Sequence, residues 1–227
     1  MLARRLLSKA IVVFCSTGLL LLGLYVYSQE KPLFRLSDKL LSNVRKQHGI
    51  AAENRLLYWQ KLIHSSQQLE EPDKLEAVND FFNGARFTND MALWKQKDYW
   101  ATPVEFLIQD AGDCEDYSIA KYFTLRELGV KAEKLRITYV TATSINQAHM
   151  VLAYYPTPSS QPLILDNLNR RIKPASERTD LIPVYSFNAE NLWLSRSRNE
   201  SQASGSSNQL KAWSDLRKRI KESTLEQ

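Results

Sequence analysis

In the region after residue 30, apolar residues recur at the spacing of helices. Two groups repeat every three or four positions: Leu36, Leu40, Leu41 and Val44, then Leu56, Trp59, Leu62 and Ile63. Pro72 suits the first turn of a third helix, whose apolar face is followed by Gly84. The pattern therefore predicts three helices before any strand.

Capping residues mark two further helix starts. Thr102 and Glu105 stand at the spacing of a capping box, which predicts a short helix from Thr102 onward. Asp113 or Cys114 opens another helix, and Gly129 ends it in a left-handed conformation. Cys114 is thus predicted to lie in the first turn of a helix.

From Leu135 onward the apolar pattern changes to a period of two. This alternation predicts strands over residues 135–139, 148–155, 162–168 and 182–187. The turn-rich segment between the second and third strands is short enough for a hairpin, so the strands are expected to be antiparallel. Because the helices precede the sheet, the sequence predicts an α+β domain, with N-terminal helices packed on an antiparallel sheet.

Residues 1–28 have the character of a targeting segment. Arg4, Arg5 and Lys9 precede an uncharged apolar run over residues 10–27. The run is typical of a secretory signal peptide cleaved near Ser28, and it is also just long enough for an inner-membrane anchor. With either alternative, residues 29–194 are expected to form an exported domain.

The residues after 194 change character again. Residues 195–209 are rich in serine and lack apolar periodicity, which predicts a flexible linker. Residues 210–227 carry apolar side chains at helical spacing among lysines and arginines, which predicts a basic amphipathic helix. The apolar positions of this helix are Leu210, Trp213, Leu216 and Ile220.

Composition narrows the classes of function. The 227 residues carry a net charge of +5, but residues 31–194 contain equal numbers of basic and acidic residues, so they show no basic footprint for nucleic acid. The chain has two cysteines and three histidines, and Cys15 lies within the targeting segment. A zinc site of the Cys₂His₂ or Cys₄ type is therefore excluded. The exported domain keeps one thiol, Cys114, in a compartment that oxidises cysteine pairs.

Ionisable residues are concentrated around Cys114. A helix N-terminus lowers the pKa of a thiol, whereas the flanking carboxylates of Asp113, Glu115 and Asp116 raise it. An imidazolium or a hard cation such as Ca²⁺ would offset these carboxylates. In the alternative interpretation, the acids only favour a helix start and Cys114 is a small buried apolar side chain.

A candidate base and a candidate acid lie on the predicted hairpin. His149 opens the second strand and Asp166 closes the third, so pairing would bring both to the same end of the hairpin. In a Cys–His–Asp arrangement the acid fixes the tautomer of the imidazole, and the imidazole takes the thiol proton. The spacing allows this arrangement for Cys114, His149 and Asp166, although such residues occur in most chains.

Several ordered motifs around these residues resemble a known family. They are GDCEDY at 112–117, AHMVL at 148–152 and LDNL at 165–168, with further likeness in WATP at 100–103 and PVYSFN at 183–188. Over about residues 70–194 the chain resembles the bacterial transglutaminase-like cysteine proteinases, in particular the LapG-type periplasmic adhesin proteases. The segment after residue 194 corresponds to no part of that pattern.

The resemblance implies a papain-like, transglutaminase-like thiol protease core. In this family pattern Cys114 is the nucleophile, His149 is the base and Asp166 is the orienting acid. The resemblance also implies dependence on Ca²⁺. The acidic positions that match the calcium site are Asp113, Glu115 and Asp116.

The resemblance further implies a substrate and a partner. The expected substrate is the N-terminal region of a large surface adhesin, cleaved in the periplasm at a paired-alanine site to release the adhesin and control biofilm attachment. The expected partner is an inner-membrane receptor that senses cyclic di-GMP and sequesters the protease. Two alternatives remain open: a protein-glutamine amide transferase, which shares the acyl-thioester step, and a non-catalytic binding module.

Overall fold

The elements of the chain follow the predicted order, with most helices before the sheet. The computed structural model describes residues 34–194 and 205–225. The α-helices in these residues are α1 Asp38–His48, α2 Ile50–Ser66, α3 Glu71–Phe82, α4 Asp90–Leu93, α5 Pro103–Gln109, α6 Cys114–Glu127 and α7 Lys211–Leu225. The strands are β1 Arg86–Phe87, β2 Ala111–Gly112, β3 Leu135–Ala142, β4 Gln147–Tyr154, β5 Leu163–Leu165, β6 Lys173–Pro174, β7 Leu181–Phe187, β8 Asn191–Leu194 and β9 Gly205–Ser206.

Local sequence explains where the helices begin and end. A capping box starts α5: the Glu105 amide donates to Thr102 Oγ1 over 3.2 Å, and the Thr102 amide donates to Glu105 Oε2 over 2.7 Å. Pro72 lies in the first turn of α3. Gly129 follows α6 with a φ of +87°, a conformation that glycine adopts without steric cost. These observations confirm the helix boundaries predicted at the three positions.

Seven of the strands form one antiparallel sheet, and β1 and β2 form a separate parallel pair. The order of the sheet is β6-β5-β4-β3-β7-β8-β9. β4 and β5 form the predicted hairpin, in which Leu152 faces Leu165. The strand predicted over residues 162–168 is shorter, Leu163–Leu165, because the chain leaves the sheet at Asp166, whose carboxylate bonds to other side chains.

The helices pack on one face of the sheet, which confirms the predicted α+β class. Alternate residues of β3 and β4 join the helices in the main hydrophobic core: Leu135, Ile137, Met150, Leu152 and Tyr154. A smaller apolar cluster lies on the opposite face of the sheet and contains Val140, Val151, Ala153 and Ile164. Helix α6 packs against both α3 and β4, so it lies beside the central strands.

The C-terminal helix α7 packs onto the same domain. Trp213 is completely buried, and its ring contacts the rings of Phe123 and Phe187. A helix occurs where the sequence predicted one, but Gly205–Ser206, which lie in the predicted flexible linker, pair with β8. The rest of the predicted linker, residues 195–204, lies outside the described part of the chain. The large apolar surface of Trp213 explains the packing, since its removal from water stabilises the docked helix.

The predicted targeting segment, residues 1–28, also lies outside the described residues. Within residues 34–194 and 205–225, no helix combines the length and the apolar character needed to cross a membrane. The signal peptide or anchor therefore stays a prediction from sequence.

Candidate active site

The candidate nucleophile stands at the start of α6. Asp113 is the N-cap residue and Cys114 is the first helical residue, as predicted. The Asp113 amide donates to Asp116 Oδ2 over 3.3 Å, and the Asp116 side chain is fully buried. Gly112 precedes this turn, and a Cβ atom there would lie 2.5 Å from Asp116 Oδ2. The close approach of backbone and carboxylate therefore requires glycine at position 112.

Burial, neighbouring carboxylates and a backbone hydrogen bond all act on the pKa of the Cys114 thiol. Burial raises this pKa, and the charge of Glu115 raises it further. Cys114 Sγ donates to Glu115 Oε2 over 3.2 Å, which stabilises the protonated thiol. A hydrogen bond from the backbone of Met150 acts in the opposite direction. The protein groups alone thus favour the thiol over the thiolate, and a nearby positive charge is needed to reverse that preference.

The candidate base and acid are in direct contact. His149 Nε2 lies 2.7 Å from Asp166 Oδ1, and both side chains are buried. Because Nε2 contacts the carboxylate, Nδ1 is the ring nitrogen that remains for proton exchange. Met150, whose backbone bonds to the Cys114 thiol, directly follows His149 in β4. The structure therefore brings all three predicted residues to the same end of β4.

Arg178 is a partner of Asp166 that the sequence pattern did not indicate. Arg178 Nη2 donates to Asp166 Oδ2 over 2.7 Å, and Arg178 Nε donates to Asp180 Oδ1 over 2.9 Å. Burial by itself raises the pKa of Asp166, but the hydrogen bonds and charges of His149 and Arg178 together lower it to about 2. Asp166 is therefore ionised at neutral pH.

Three carboxylates lie together beside the thiol. One oxygen atom from each of Asp90, Asp113 and Glu115 lies within 4.8 Å of the others. Asp90 Oδ1 and Asp113 Oδ1 are buried and have no hydrogen-bond partner among the described residues. Burial raises the pKa of Asp90 to about 6 and that of Asp113 to about 8, and neighbouring carboxylates add to both increases.

This cluster fits a calcium ion. Ca²⁺ prefers hard oxygen ligands and takes about six to eight of them, so carbonyl groups or water would complete a shell begun by three carboxylates. The two buried oxygens without partners have the position expected of metal ligands. A divalent cation would also offset the mutual repulsion that makes three adjacent carboxylates unfavourable.

The position of Asp116 differs from the prediction that it binds the metal. Asp116 Oδ1 accepts a hydrogen bond from the Ala101 amide over 2.7 Å, while Oδ2 accepts from the Asp113 amide. Both carboxylate oxygens therefore hold backbone at the start of α6, and Asp116 does not join the cluster described above. Asp116 lies within the first turn of α6, where each residue is rotated from the one before it, so its side chain points away from that of Glu115.

Asp90 joins the cluster although the sequence pattern did not mark it. Asp90 is the first residue of α4, where an acidic residue normally serves the helix end. The parallel pair β1–β2 brings this region next to Cys114, since the Thr88 amide donates to Gly112 O over 2.9 Å. No local motif predicts that pairing, so the sequence carried no usable indication of Asp90.

Comparison with known proteins relates this site to a family. The model of the family described as bacterial transglutaminase-like cysteine proteinase BTLCP matches residues 59–200. The calcium-bound structure of LapG from Legionella pneumophila is 45% identical, with a TM-score of 0.70, and the match covers 82% of this chain and 99% of that chain. The EGTA-treated LapG structure is also 45% identical, with a TM-score of 0.70 and coverage of 79% and 97%. No curated protein sequence matches the chain. The family matches confirm the resemblance and the fold predicted from the motifs.

Proposed function

The chain belongs to the family of bacterial transglutaminase-like cysteine proteinases, and from this premise we propose that it is a calcium-dependent endopeptidase with Cys114, His149 and Asp166 as its triad. The observation that carries the proposal is the buried 2.7 Å contact between His149 Nε2 and Asp166 Oδ1. The Cys114 thiol lies beside the same strand end, at the backbone of Met150. This arrangement supports a thiol nucleophile with an oriented base.

The proposed reaction is acyl transfer through the Cys114 sulfur. His149 Nδ1 takes the thiol proton, and the thiolate attacks the carbonyl carbon of the scissile peptide bond. The tetrahedral intermediate collapses as the imidazolium gives its proton to the leaving amine, which leaves a thioester on Cys114. Water then attacks the thioester, with the imidazole accepting its proton, and the carboxylic acid product and free thiol are released.

Asp166 supports this cycle without exchanging protons. Its pKa of about 2 keeps it anionic, so it can stabilise the imidazolium that forms on His149. Arg178 occupies the second carboxylate oxygen, which leaves Oδ1 directed at the ring. The acid is therefore held in position from both sides.

Calcium belongs to the proposal because Asp90, Asp113 and Glu115 fit the ion and because LapG from Legionella pneumophila has a calcium-bound structure. A bound Ca²⁺ ion would supply positive charge next to the nucleophile. The Tyr99 amide donates to Asp90 Oδ2 over 2.5 Å and fixes one ligand in place. Offsetting the charge of Glu115 would remove one of the influences that raise the pKa of the Cys114 thiol.

The substrate, the compartment and the partner extend this proposal. The motif resemblance supports cleavage of the N-terminal region of a large surface adhesin at a paired-alanine site, which would release the adhesin and control biofilm attachment. The apolar run at residues 10–27 supports action in the periplasm. The same resemblance supports sequestration by an inner-membrane receptor that senses cyclic di-GMP.

The test is cleavage of a purified adhesin fragment that contains the paired-alanine site, followed by mass spectrometry of the products. Cys114→Ala and His149→Ala should abolish cleavage, whereas Asp166→Asn should keep a residual rate because the thiol and the base remain. His48→Ala provides the matched control, since His48 is an exposed histidine on α1 and outside the site. Cleavage by Cys114→Ala at the wild-type rate would refute the proposal.

Two additions separate the alternatives and the metal requirement. An added primary amine should leave the hydrolysis products unchanged, whereas incorporation of the amine into a glutamine side chain would identify an amide transferase. Binding of the fragment without any new product in the wild type would identify a binding module. Treatment with EGTA should stop cleavage, and Ca²⁺ should restore it better than Mg²⁺, whose smaller octahedral shell suits an irregular cluster less well.

A further inference from the structure

The C-terminal helix α7 contacts the region of the nucleophile although it lies beyond residues 59–200, the part matched by the family model. Its apolar side is anchored by Trp213, whose ring stacks on Phe123 of α6 with centroids 5.6 Å apart. Arg219 stands six residues, or about 1.7 turns, further along the same helix. The anchored helix therefore carries Arg219 to a defined place on the domain.

Arg219 hydrogen-bonds to the segment that leads into α5. Arg219 Nη1 donates to Tyr99 Oη and to Glu105 Oε2, each over 2.7 Å, and Nη2 donates to the carbonyl oxygen of Trp100. The guanidinium carbon lies 4.6 Å from the centroid of the Tyr99 ring. A planar guanidinium can satisfy these acceptors at once and stack on the ring, whereas a lysine ammonium cannot reproduce that geometry.

The backbone of the segment bonded to Arg219 also bonds to two carboxylates near Cys114, those of Asp90 and Asp116. The Tyr99 amide donates to Asp90 Oδ2 over 2.5 Å, and Asp90 belongs to the carboxylate cluster. The Ala101 amide donates to Asp116 Oδ1 over 2.7 Å, and Asp116 fixes the first turn of α6. Arg219 and the two carboxylates therefore bond to the same short segment, Tyr99 to Ala101.

From this chain of contacts we propose that Arg219 is a positioning residue for the active site. It acts through the backbone of Tyr99, Trp100 and Ala101, which orients Asp90 in the calcium cluster and Asp116 at the nucleophile helix. The part of the inference that concerns calcium rests on the proposed function. The basic C-terminal helix thereby gains a role in the site, which its sequence alone did not suggest.

The first measurement is amide hydrogen exchange of the purified protein without calcium, which needs neither the metal nor the substrate. Arg219→Ala and Arg219→Lys should speed exchange of the Tyr99 and Ala101 amides, because the segment loses its outer contacts. Arg217→Ala is the matched control: Arg217 lies on the same helix but donates to Ala189 O, over 2.6 Å. Unchanged protection of both amides in a folded Arg219→Lys variant would overturn the proposal.

The second measurement is calcium affinity by titration calorimetry, at a temperature where each variant is folded. Both Arg219 variants should bind calcium about tenfold more weakly, the size of effect seen when groups behind metal ligands are changed, and Arg217→Ala should match the wild type. Faster amide exchange with unchanged calcium affinity would make Arg219 a residue of general stability and would also overturn the proposal. If the wild type itself binds no calcium, the metal part of the proposed function fails, and the amide exchange alone decides on Arg219.

Discussion

Replacement of Arg178 by methionine tests whether a buried ion pair holds Asp166, the proposed orienting acid, in place. The exchange keeps most of the apolar stem and removes the guanidinium that bonds to Asp166 Oδ2 over 2.7 Å. The Arg178 side chain is 3% exposed and that of Asp166 is 0% exposed, so water cannot replace the lost partner. Breaking such a pair by removing one member typically lowers the free energy of unfolding by about 3–5 kcal/mol.

The dependence of stability on pH separates the ion pair from a simple loss of packing. In the wild type the pKa of Asp166 is lowered from 3.8 to about 2, a shift that corresponds to about 2 kcal/mol of stabilisation. Because the folded-state pKa is depressed, this stabilisation is complete above the usual pKa and is lost as the pH falls toward about 2. Without Arg178 the pKa of Asp166 should rise toward its usual value. The difference in unfolding free energy between wild type and Arg178→Met should therefore narrow as the solution is acidified.

Urea denaturation at a series of pH values from about 7 down to about 3 measures this difference. Arg178 also pairs with Asp180 and lowers its pKa, so the comparison is repeated in an Asp180→Asn background, where Asp166 is the remaining carboxylate partner. Asp180→Asn alone should cost less than about 1 kcal/mol, because its side chain is partly exposed. A gap of constant size across this pH range, in the Asp180→Asn background, would show that Arg178 does not set the pKa of Asp166.

Three further changes have defined outcomes. Asp116→Asn should lower the unfolding free energy by about 1–3 kcal/mol, because it replaces one oxygen that accepts from a buried amide by a donor. The calcium affinity of this variant, measured by calorimetry, should stay far closer to wild type than that of Asp113→Asn. Gly112→Ala should cost about 1–3 kcal/mol in urea denaturation, because the new Cβ would lie 2.5 Å from Asp116 Oδ2. For Lys121, burial lowers the pKa from 10.5 to about 7. The charged lysine therefore destabilises the folded state fully below about pH 7, and this destabilisation decreases as the pH rises above 7. The stability of the wild type relative to Lys121→Met should therefore rise between about pH 7 and pH 9.5, by at most about 1.4 kcal/mol per pH unit.

Each of these three outcomes can fail clearly. Equal loss of calcium affinity in Asp116→Asn and Asp113→Asn would mean that Asp116 is a calcium ligand after all. A Gly112→Ala variant as stable as the wild type would mean that the turn before Cys114 has room to move. A difference between wild type and Lys121→Met that does not change with pH would mean that Lys121 keeps an ordinary pKa despite its burial.

Local sequence patterns were sufficient to predict most of the fold. Thr102, Glu105 and Gly129 act on neighbouring backbone, so their capping roles can be recognised from spacing alone. Alternation over β3 and β4 predicted the sheet because successive side chains of a strand must point to opposite faces. The contact between His149 and Asp166 could also be predicted from the sequence, because a short connection makes the two strands that carry them pair with each other.

Only the tertiary structure decided which acidic and basic groups meet. Asp90 reaches the cluster through the β1–β2 pair, and Arg178 reaches Asp166 from a segment after the hairpin, at contacts that no local pattern encodes. The helical phase of α6 separates Asp116 from Glu115, although the two are adjacent in sequence. The sequence predicted the basic C-terminal helix but not the surface that it packs against, because the hydrophobic effect is non-directional and does not specify which apolar surface covers a given ring. In the folded chain Trp213 packs on Phe123 of α6, and this packing brings Arg219 to Tyr99 in the segment before α5.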